Sequence, residues 1–381
     1  MSKHGRVLVA MSGGIDSTVA ALMMHEQGYE VIGITMKTWD YANSGSSKKE
    51  TGCCSLDSIN DARAIAVQRG FYHFIVDIRQ EFGDYVIDNF VDEYLSGRTP
   101  NPCVLCNTHI KWNALIKKAD ALDCEFIVTG HYALIKQADG RYFISRSADL
   151  HKDQSYVLWG VSQECLARTK FPIGGMTKPE VRQLAFDLGY EEFSTKAESF
   201  EICFVPDNDY RSFLKHRVDG LEEKVKGGNF VDKDGKVLGQ HAGYPFYTIG
   251  QRKGLGMAFG HPVYVTKIIP ETNTVVLGHV DELLKNSMKV GGINSMKYPT
   301  IPEGIESRTM IRYNDGGVMS TLKNLPSGEV EVNFLANVKG VAPGQSAVFY
   351  EGDDLIGGGI IARNEPFKLP EIFQKSKEMT T

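Results

Sequence analysis

The stretch RVLVAMSGGIDSTVAALMMHE, Arg6 to Glu26, decides the fold. An apolar run, Val7 to Met11, reads as a short buried strand, and a helical pattern runs from Asp16 to Glu26. Between them stands Ser12-Gly13-Gly14-Ile15-Asp16-Ser17. Where a strand passes through glycines into a helix, exposed backbone N–H groups and the positive helix end make an anion site, and the glycines let a phosphate approach the backbone. The loop is not a Walker A loop, because the spacing and the lysine of that motif are missing.

Working outward, β-branched runs alternate with helical patterns as far as about residue 132. Strands are expected at Val7–Met11, Glu30–Met36, Phe71–Asp77 and Glu125–Thr129, with helices near Asp16–Glu26, Ser58–Arg69 and Tyr85–Leu95. Gly28 and Gly70 fall where helix C-caps belong. The fold class is therefore α/β, an N-terminal doubly wound parallel-sheet domain. The polar segment Thr38 to Thr51 reads as a loop over one end of that sheet. One more helix follows Thr177, an N-cap candidate with Pro179 in the first turn. From Gly228 glycine-punctuated β-like runs dominate, which predicts a small β-rich central domain and then a C-terminal β-barrel. The expected divisions are 1–210, 211–280 and 281–381, with a frayed tail from Lys375 to Thr381.

A chain of 381 residues exceeds one ordinary core. With 42% hydrophobic and 23% charged residues and no apolar run near the roughly 18 residues of a membrane span, a water-soluble protein without a membrane partner is expected. The start MSKHGRVLVAMSGG does not read as a secretory signal, so the expected location is cytoplasmic. A net charge of −5 excludes indiscriminate nucleic-acid binding, so an RNA partner needs a local basic rim. Candidates are Lys111, Lys117 and Lys118, Lys215 with Arg217, Arg252 with Lys253, and Arg308 with Arg312. Seven cysteines in a reducing compartment read as inert, metal-binding or catalytic rather than as a disulfide framework.

SGGxDS after the first strand resembles the PP-loop of ATP pyrophosphatases, which split ATP into AMP and pyrophosphate. Activating a carbonyl oxygen with ATP makes sense when that oxygen must leave, and a nucleophile must then replace it; cysteine is the strongest side-chain candidate. Two cysteine segments answer to this, PNPCVLCN from Pro100 and SFEICFVP from Ser199. With the PP-loop, TGHY at 129–132, LHKDQSYVLW at 150–159, YTIGQRKGLG at 247–256, MIRYND at 310–315 and APGQSAVFYEGD at 342–353, they make the chain closely resemble the bacterial tRNA-specific 2-thiouridylases, the MnmA family, nearly from end to end.

That resemblance implies ATP-dependent 2-thiolation of the wobble uridine of tRNAs of the Lys, Glu and Gln type. ATP adenylates the C2 oxygen, and a persulfide on Cys203, loaded by a cysteine desulfurase or a sulfur-carrier protein, delivers sulfur with Cys106 as the second catalytic cysteine. By the same resemblance Ala10, Met11, Ser12, Gly13, Gly14, Ile15, Asp16, Ser17, Met36 and Gly130 bind ATP, with Asp16 helping to place Mg2+. Asn101, Pro102 and Cys103 hold the target base, and His131, Lys152, Asp153, Gln154, Arg312, Tyr313 and Gln345 contact the tRNA. Many family members carry Asp at the position of Cys103, as a general base, so its role here stays open. Taken one at a time these residues have plainer readings: Asp153 as a cap of the following helix, Arg312 as a surface charge, Met36 as core. Cys103, Cys106 and Cys203 form an alternative ligand set for an iron–sulfur cluster. Cys53 and Cys54 read as part of the loop over the sheet, Cys124 and Cys165 as packing. Rival functions are another PP-loop adenylating ligase, whose amine nucleophile needs no cysteine pair, and a non-catalytic cluster- or zinc-binding protein.

Overall fold

The computed structural model describes residues 3–39, 55–191, 202–205 and 208–363. Cys53, Cys54, Ser199 to Glu201, Pro206, the tail from Lys375 and most of Thr38 to Thr51 lie outside the described residues.

The first sheet is parallel. β1 (Arg6–Ala10) lies between β2 (Glu30–Lys37) and β4 (Phe126–Val128), with β3 (Tyr72–Asp77) and β7 (Thr169–Lys170) outside them, giving the order β3-β2-β1-β4-β7. Since β1 has neighbours on both sides, the order reverses beside it, and a crevice opens at the C-terminal ends of β1 and β4. The fifth strand, two residues long, was not expected. It has no periodicity to read, and Lys170 joins through main-chain pairing to Val128.

Helix α1 (Ile15–Glu26) starts after an extended Gly14, and the chain leaves it through Gly28 at φ 90°, a conformation that favours glycine. Helix α2 (Leu56–Arg69) is capped by the Ser55 hydroxyl and closed by Gly70 at φ 73°. The expected helix at Tyr85–Leu95 begins six residues earlier: α3 (Arg79–Phe82), a π turn (Gly83–Ile87) and α4 (Asp88–Leu95) run on without a break. Its buried stripe Phe82, Val86, Phe90, Tyr94 advances four residues at a time, and the wider π turn takes up the drift a 3.6-residue helix would accumulate. A second composite helix, α5 (Pro102–Leu105), a π turn (Cys106–Lys111) and α6 (Trp112–Ala121), carries the first cysteine pair. The short α7 (Gln163–Ala167) precedes β7, and α8 (Lys178–Asp187) starts, as expected, from Thr177 in a capping box with Glu180.

The central module is a four-stranded sheet of β8 (Gly228–Val231), β9 (Val237–His241), β10 (Tyr264–Ile269) and β11 (Thr274–Gly278), ordered β10-β11-β8-β9. The last six strands are β12 (Leu284–Ser295), β13 (Glu306–Met310), β14 (Val318–Asn324), β15 (Val330–Lys339), β16 (Ser346–Glu351) and β17 (Asp354–Ile361). They close into a barrel when β12 pairs with β17.

Two features escaped the sequence. The hairpin β5 (Ala133–Ala138) and β6 (Arg141–Arg146), part of the N-terminal stretch, joins the barrel sheet through β17. An ion pair crosses the join, Lys136 to Asp354 at 2.8 Å, and on the barrel side Lys297 pairs with Glu351 and Asp354 at 2.7 and 2.8 Å. The hydrophobic cores also cross the expected divisions. One cluster joins Phe82, Phe90, Cys106 and Phe204 to Phe213, Phe230 and Val265 of the central region, and another joins Trp112, Tyr156 and Trp159 to Met310, Val348 and Tyr350 of the barrel.

Barrel closure depends on Gly357, Gly358 and Gly359. A Cβ at Gly358 would stand 2.8 Å from the Trp159 ring and 2.9 Å from the Ala347 carbonyl oxygen. Gly358→Ala is expected to destabilise the protein by about 1–3 kcal/mol through overpacking. Urea unfolding followed by tryptophan fluorescence reads this as an earlier transition, and an unchanged midpoint would refute it.

Candidate active site

The PP-loop sits where β1 ends, as its sequence requires. Gly13, at φ 68°, has the carbonyl oxygen of Ser58 in α2 only 2.1 Å from where a Cβ would be, so a larger residue is excluded. The Ser17 hydroxyl accepts from the Ser12 N–H (3.1 Å), donates to the Gly14 carbonyl (3.0 Å) and stands 3.3 Å from the Ser12 hydroxyl. The Thr18 hydroxyl also donates to Gly14 (3.0 Å). These bonds fix the shape of the loop between β1 and α1. Ala10 ends β1, while Met11 and Ile15 are buried in the core, leaving their backbones, rather than their side chains, for a nucleotide. Met36 is half-buried against two cores at the end of β2.

The turn after β4 closes on this loop. A Cβ at Gly130 would lie 2.6 Å from the carbonyl carbon of Asp16 and from the Ser17 nitrogen, so only glycine admits the approach. Tyr132 then donates its hydroxyl to Asp16 (2.9 Å), and the Lys178 ammonium reaches both Asp16 oxygens at 2.7 and 2.9 Å. Lys178 is almost fully buried, whereas Asp16 is about one-third exposed, so a buried cation is anchored at the mouth of the phosphate loop. Neither Lys178 nor Tyr132 was assigned a role from sequence. Lys178 lies 162 residues from Asp16 on a helix whose visible signal is its cap.

Asp16 fits Mg2+ as one carboxylate, the usual protein contribution when substrate phosphates supply further ligands. An iron–sulfur cluster does not fit. Among the described residues no group of three or more His, Cys, Asp or Glu converges as a metal site, so Cys103, Cys106 and Cys203 are not arranged as a ligand set.

The cysteines occupy distinct settings. Cys106 opens a π turn and is buried, in the core cluster against which the partly buried Cys203 packs. Cys103, one turn earlier, is exposed. Burial raises its thiol pKa, and Lys111 partly offsets the effect. Cys124 and Cys165 are buried in another core, their thiols pushed up by burial, that of Cys124 to about 11, as packing residues should be.

Several of the expected base and tRNA residues are linked to one another. Tyr313 comes from the barrel, donating to the Asp153 carbonyl (3.0 Å) and stacking edge-on with Tyr156 at 6.1 Å; the fields of Asp153 and Cys103 add to burial in raising its pKa. Asn101 bonds to Tyr156, whose hydroxyl also donates to the Ser346 carbonyl (2.9 Å). Gln154 accepts from the Tyr132 N–H (2.9 Å), linking the region to the nucleotide loop. Pro102 starts the helix, and Lys152 sits in the turn before Asp153. Asp153 does more than cap: its carboxylate accepts from the Ser147 N–H, the Ser155 hydroxyl and Arg146. Gln345 spends its amide on the carbonyls of Thr99 and Pro100 at 3.1 and 2.8 Å, clamping the segment ahead of Cys103. Arg312 donates to the Lys339 carbonyl (2.8 Å) from the surface. His131 is boxed by Trp112 and Phe171 and bonded to Thr129 (2.7 Å); burial, helped by Lys111, lowers its pKa to about 3 and keeps it neutral. Of the proposed basic rim, Lys215 and Arg217 are paired with Glu222 and Asp88.

Three family descriptions match in succession: a tRNA methyl transferase HUP domain over residues 5–207, a tRNA methyl transferase PRC-barrel domain over 211–279 and an aminomethyltransferase beta-barrel domain over 285–361. Among curated relatives, the tRNA-specific 2-thiouridylase MnmA of Amoebophilus asiaticus is 62% identical over 97% of both chains. That of Cytophaga hutchinsonii is 62% identical over 95% of this chain and 98% of its own, and that of Salinibacter ruber is 56% identical over 95% of both. With a phosphate loop after β1, and Cys203 packed against the core that holds Cys106, in a chain matched almost from end to end, the protein belongs to the tRNA-specific 2-thiouridylase family.

Proposed function

We propose that the protein thiolates C2 of the wobble uridine of tRNA, using ATP to activate the C2 oxygen and a Cys203 persulfide as the sulfur source. The observation supporting this reading is the link between two groups of residues: a PP-loop tied through Asp16 to Tyr132 and on to Gln154, and the cluster of Asn101, Cys103, Tyr156 and Tyr313 that follows from it. A nucleotide on the loop would then lie near an unstacked loop base held by Asn101 and Cys103, and recognition of unstacked bases is how RNA loops are generally read.

The PP-loop N–H groups hold the polyphosphate, and Lys178, pre-placed by Asp16, neutralises charge as pyrophosphate leaves. Mg2+ held by Asp16 and the phosphates would supply further charge neutralisation. Once AMP is attached to the C2 oxygen, oxide has become a good leaving group. Sulfur from Cys203 attacks C2, AMP departs, and Cys106 takes up the bond to Cys203 that the departing sulfur vacates. Their shared core favours that step, since apolar surroundings exclude the water that would hydrolyse the adenylate. Neutral His131 has a shaping role beside Trp112 rather than an acid–base one. The central and barrel modules bind the rest of the RNA, tRNAs of the Lys, Glu and Gln type, and a desulfurase or carrier protein loads Cys203 in the cytoplasm.

Lys178→Met is expected to lower the formation of AMP from ATP with tRNA by roughly 10²–10³-fold, as losing a charge-stabilising donor does. Tyr132→Phe, which spares the ammonium, should lose less; equal losses, or none at Lys178, would refute the assignment. Nucleoside mass spectrometry of tRNA incubated with ATP, Mg2+ and a persulfide source should show 2-thiouridine with the wild type and none with Cys203→Ser, while that variant still forms AMP. Thiolation by Cys203→Ser would overturn the sulfur assignment.

A further inference from the structure

We propose that Cys103 is a resolving thiol, which takes the disulfide from the Cys106–Cys203 pair and so returns Cys203 to its thiol form for reloading. The inference rests on the persulfide reading above and adds a third cysteine to it.

Placement carries the argument. Among the described residues Cys106 is the cysteine that belongs to both neighbourhoods: it lies in the core against which Cys203 packs and is one helical turn from Cys103. Cys203 packs on the core side, whereas Cys103 is exposed. A C-x-x-C pair with one exposed and one buried thiol is the arrangement of dithiol exchange centres, where the outer thiol meets the external reductant. Cβ atoms three residues apart on a helix are about 5–6 Å apart, and a disulfide needs about 3.5–4.5 Å, so the turn must give slightly. This segment can give. The α-helical piece is four residues long, starts at a proline and passes at Cys106 into a wider π turn.

The electrons balance without an added oxidant. Sulfur transfer leaves Cys106 and Cys203 joined by a disulfide. The Cys103 thiolate attacks the Cys106 sulfur, the Cys103–Cys106 bond forms, and the Cys106–Cys203 bond breaks with its electron pair on Cys203. The proton lost by Cys103 is taken up by Cys203. Two equivalents of a small thiol such as glutathione then reduce the exposed disulfide, becoming oxidised to its dimer. Cys124 and Cys165, enclosed in a separate core, cannot take this part.

The test uses the full chain, loaded under argon with inorganic polysulfide, freed of excess, mixed with tRNA, ATP and Mg2+, and quenched with N-ethylmaleimide for peptide mapping. For each thiouridine formed, the wild type should yield one Cys103–Cys106 disulfide and a maleimide-blocked Cys203. Cys103→Ser should instead accumulate the Cys106–Cys203 disulfide, with further turnovers several-fold slower when glutathione limits. Cys103→Ala, checked for the same unfolding midpoint as wild type, should reproduce that disulfide pattern. The Cys106–Cys203 disulfide as the wild-type end state would overturn the relay alone, as would iron bound to these thiols in anaerobically prepared protein. Absence of thiouridine from every protein would overturn the sulfur-transfer reading and the relay with it.

Discussion

The architecture turns on a contact that only glycine permits: the backbone at Gly130 pressed against the peptide between Asp16 and Ser17. It joins the turns after β1 and β4 at the switch point of the parallel sheet, where a nucleotide crevice belongs. From there Tyr132 reaches Asp16 with its hydroxyl and Gln154 with its backbone, and Gln154 leads into the Ser155–Leu158 turn that packs beside the cysteine-bearing helix. A side chain at residue 130 would part the two turns and with them the phosphate loop and the Tyr132–Gln154 link.

Electrostatics at the loop follow burial. Lys178 is too enclosed to stand as an isolated cation, and Asp16 compensates its charge while itself keeping contact with water. The protein thus holds an ammonium beside the phosphate loop as a paired charge rather than as an isolated one. His131 moves the opposite way. Enclosed by aromatic rings, it gives up its proton and serves as shape.

The shared cores explain why the modules work as one body. Cys106 belongs to, and Cys203 packs against, a cluster built from the Arg79–Leu95 helical run, the Tyr210–Arg217 helix and the central sheet, so the setting of both cysteines depends on those parts being packed together. On the other side, Gln345 and Pro343 of the barrel bind the main chain at Thr99 and Pro100. The segment entering the Cys103 helix is therefore positioned from two modules at once.

By itself the sequence determined the parallel sheet, the phosphate loop, the β-rich second half and the identity of both cysteine segments. These signals are local: alternation, glycine at a strand end, a cap before a helix. It passed over the Ala133–Arg146 hairpin, the two-residue strand at Thr169, the early start of the helix at Arg79 and the pairing of Lys178 with Asp16. Each of these depends on partners far along the chain, or on a turn whose width answers to the core it faces. Only the tertiary structure decided that Gln345 clamps a neighbouring segment and that Cys103 looks outward while Cys106 looks inward. The physical reason is that hydrogen bonds and burial are properties of the packed neighbourhood, which no short stretch of residues contains.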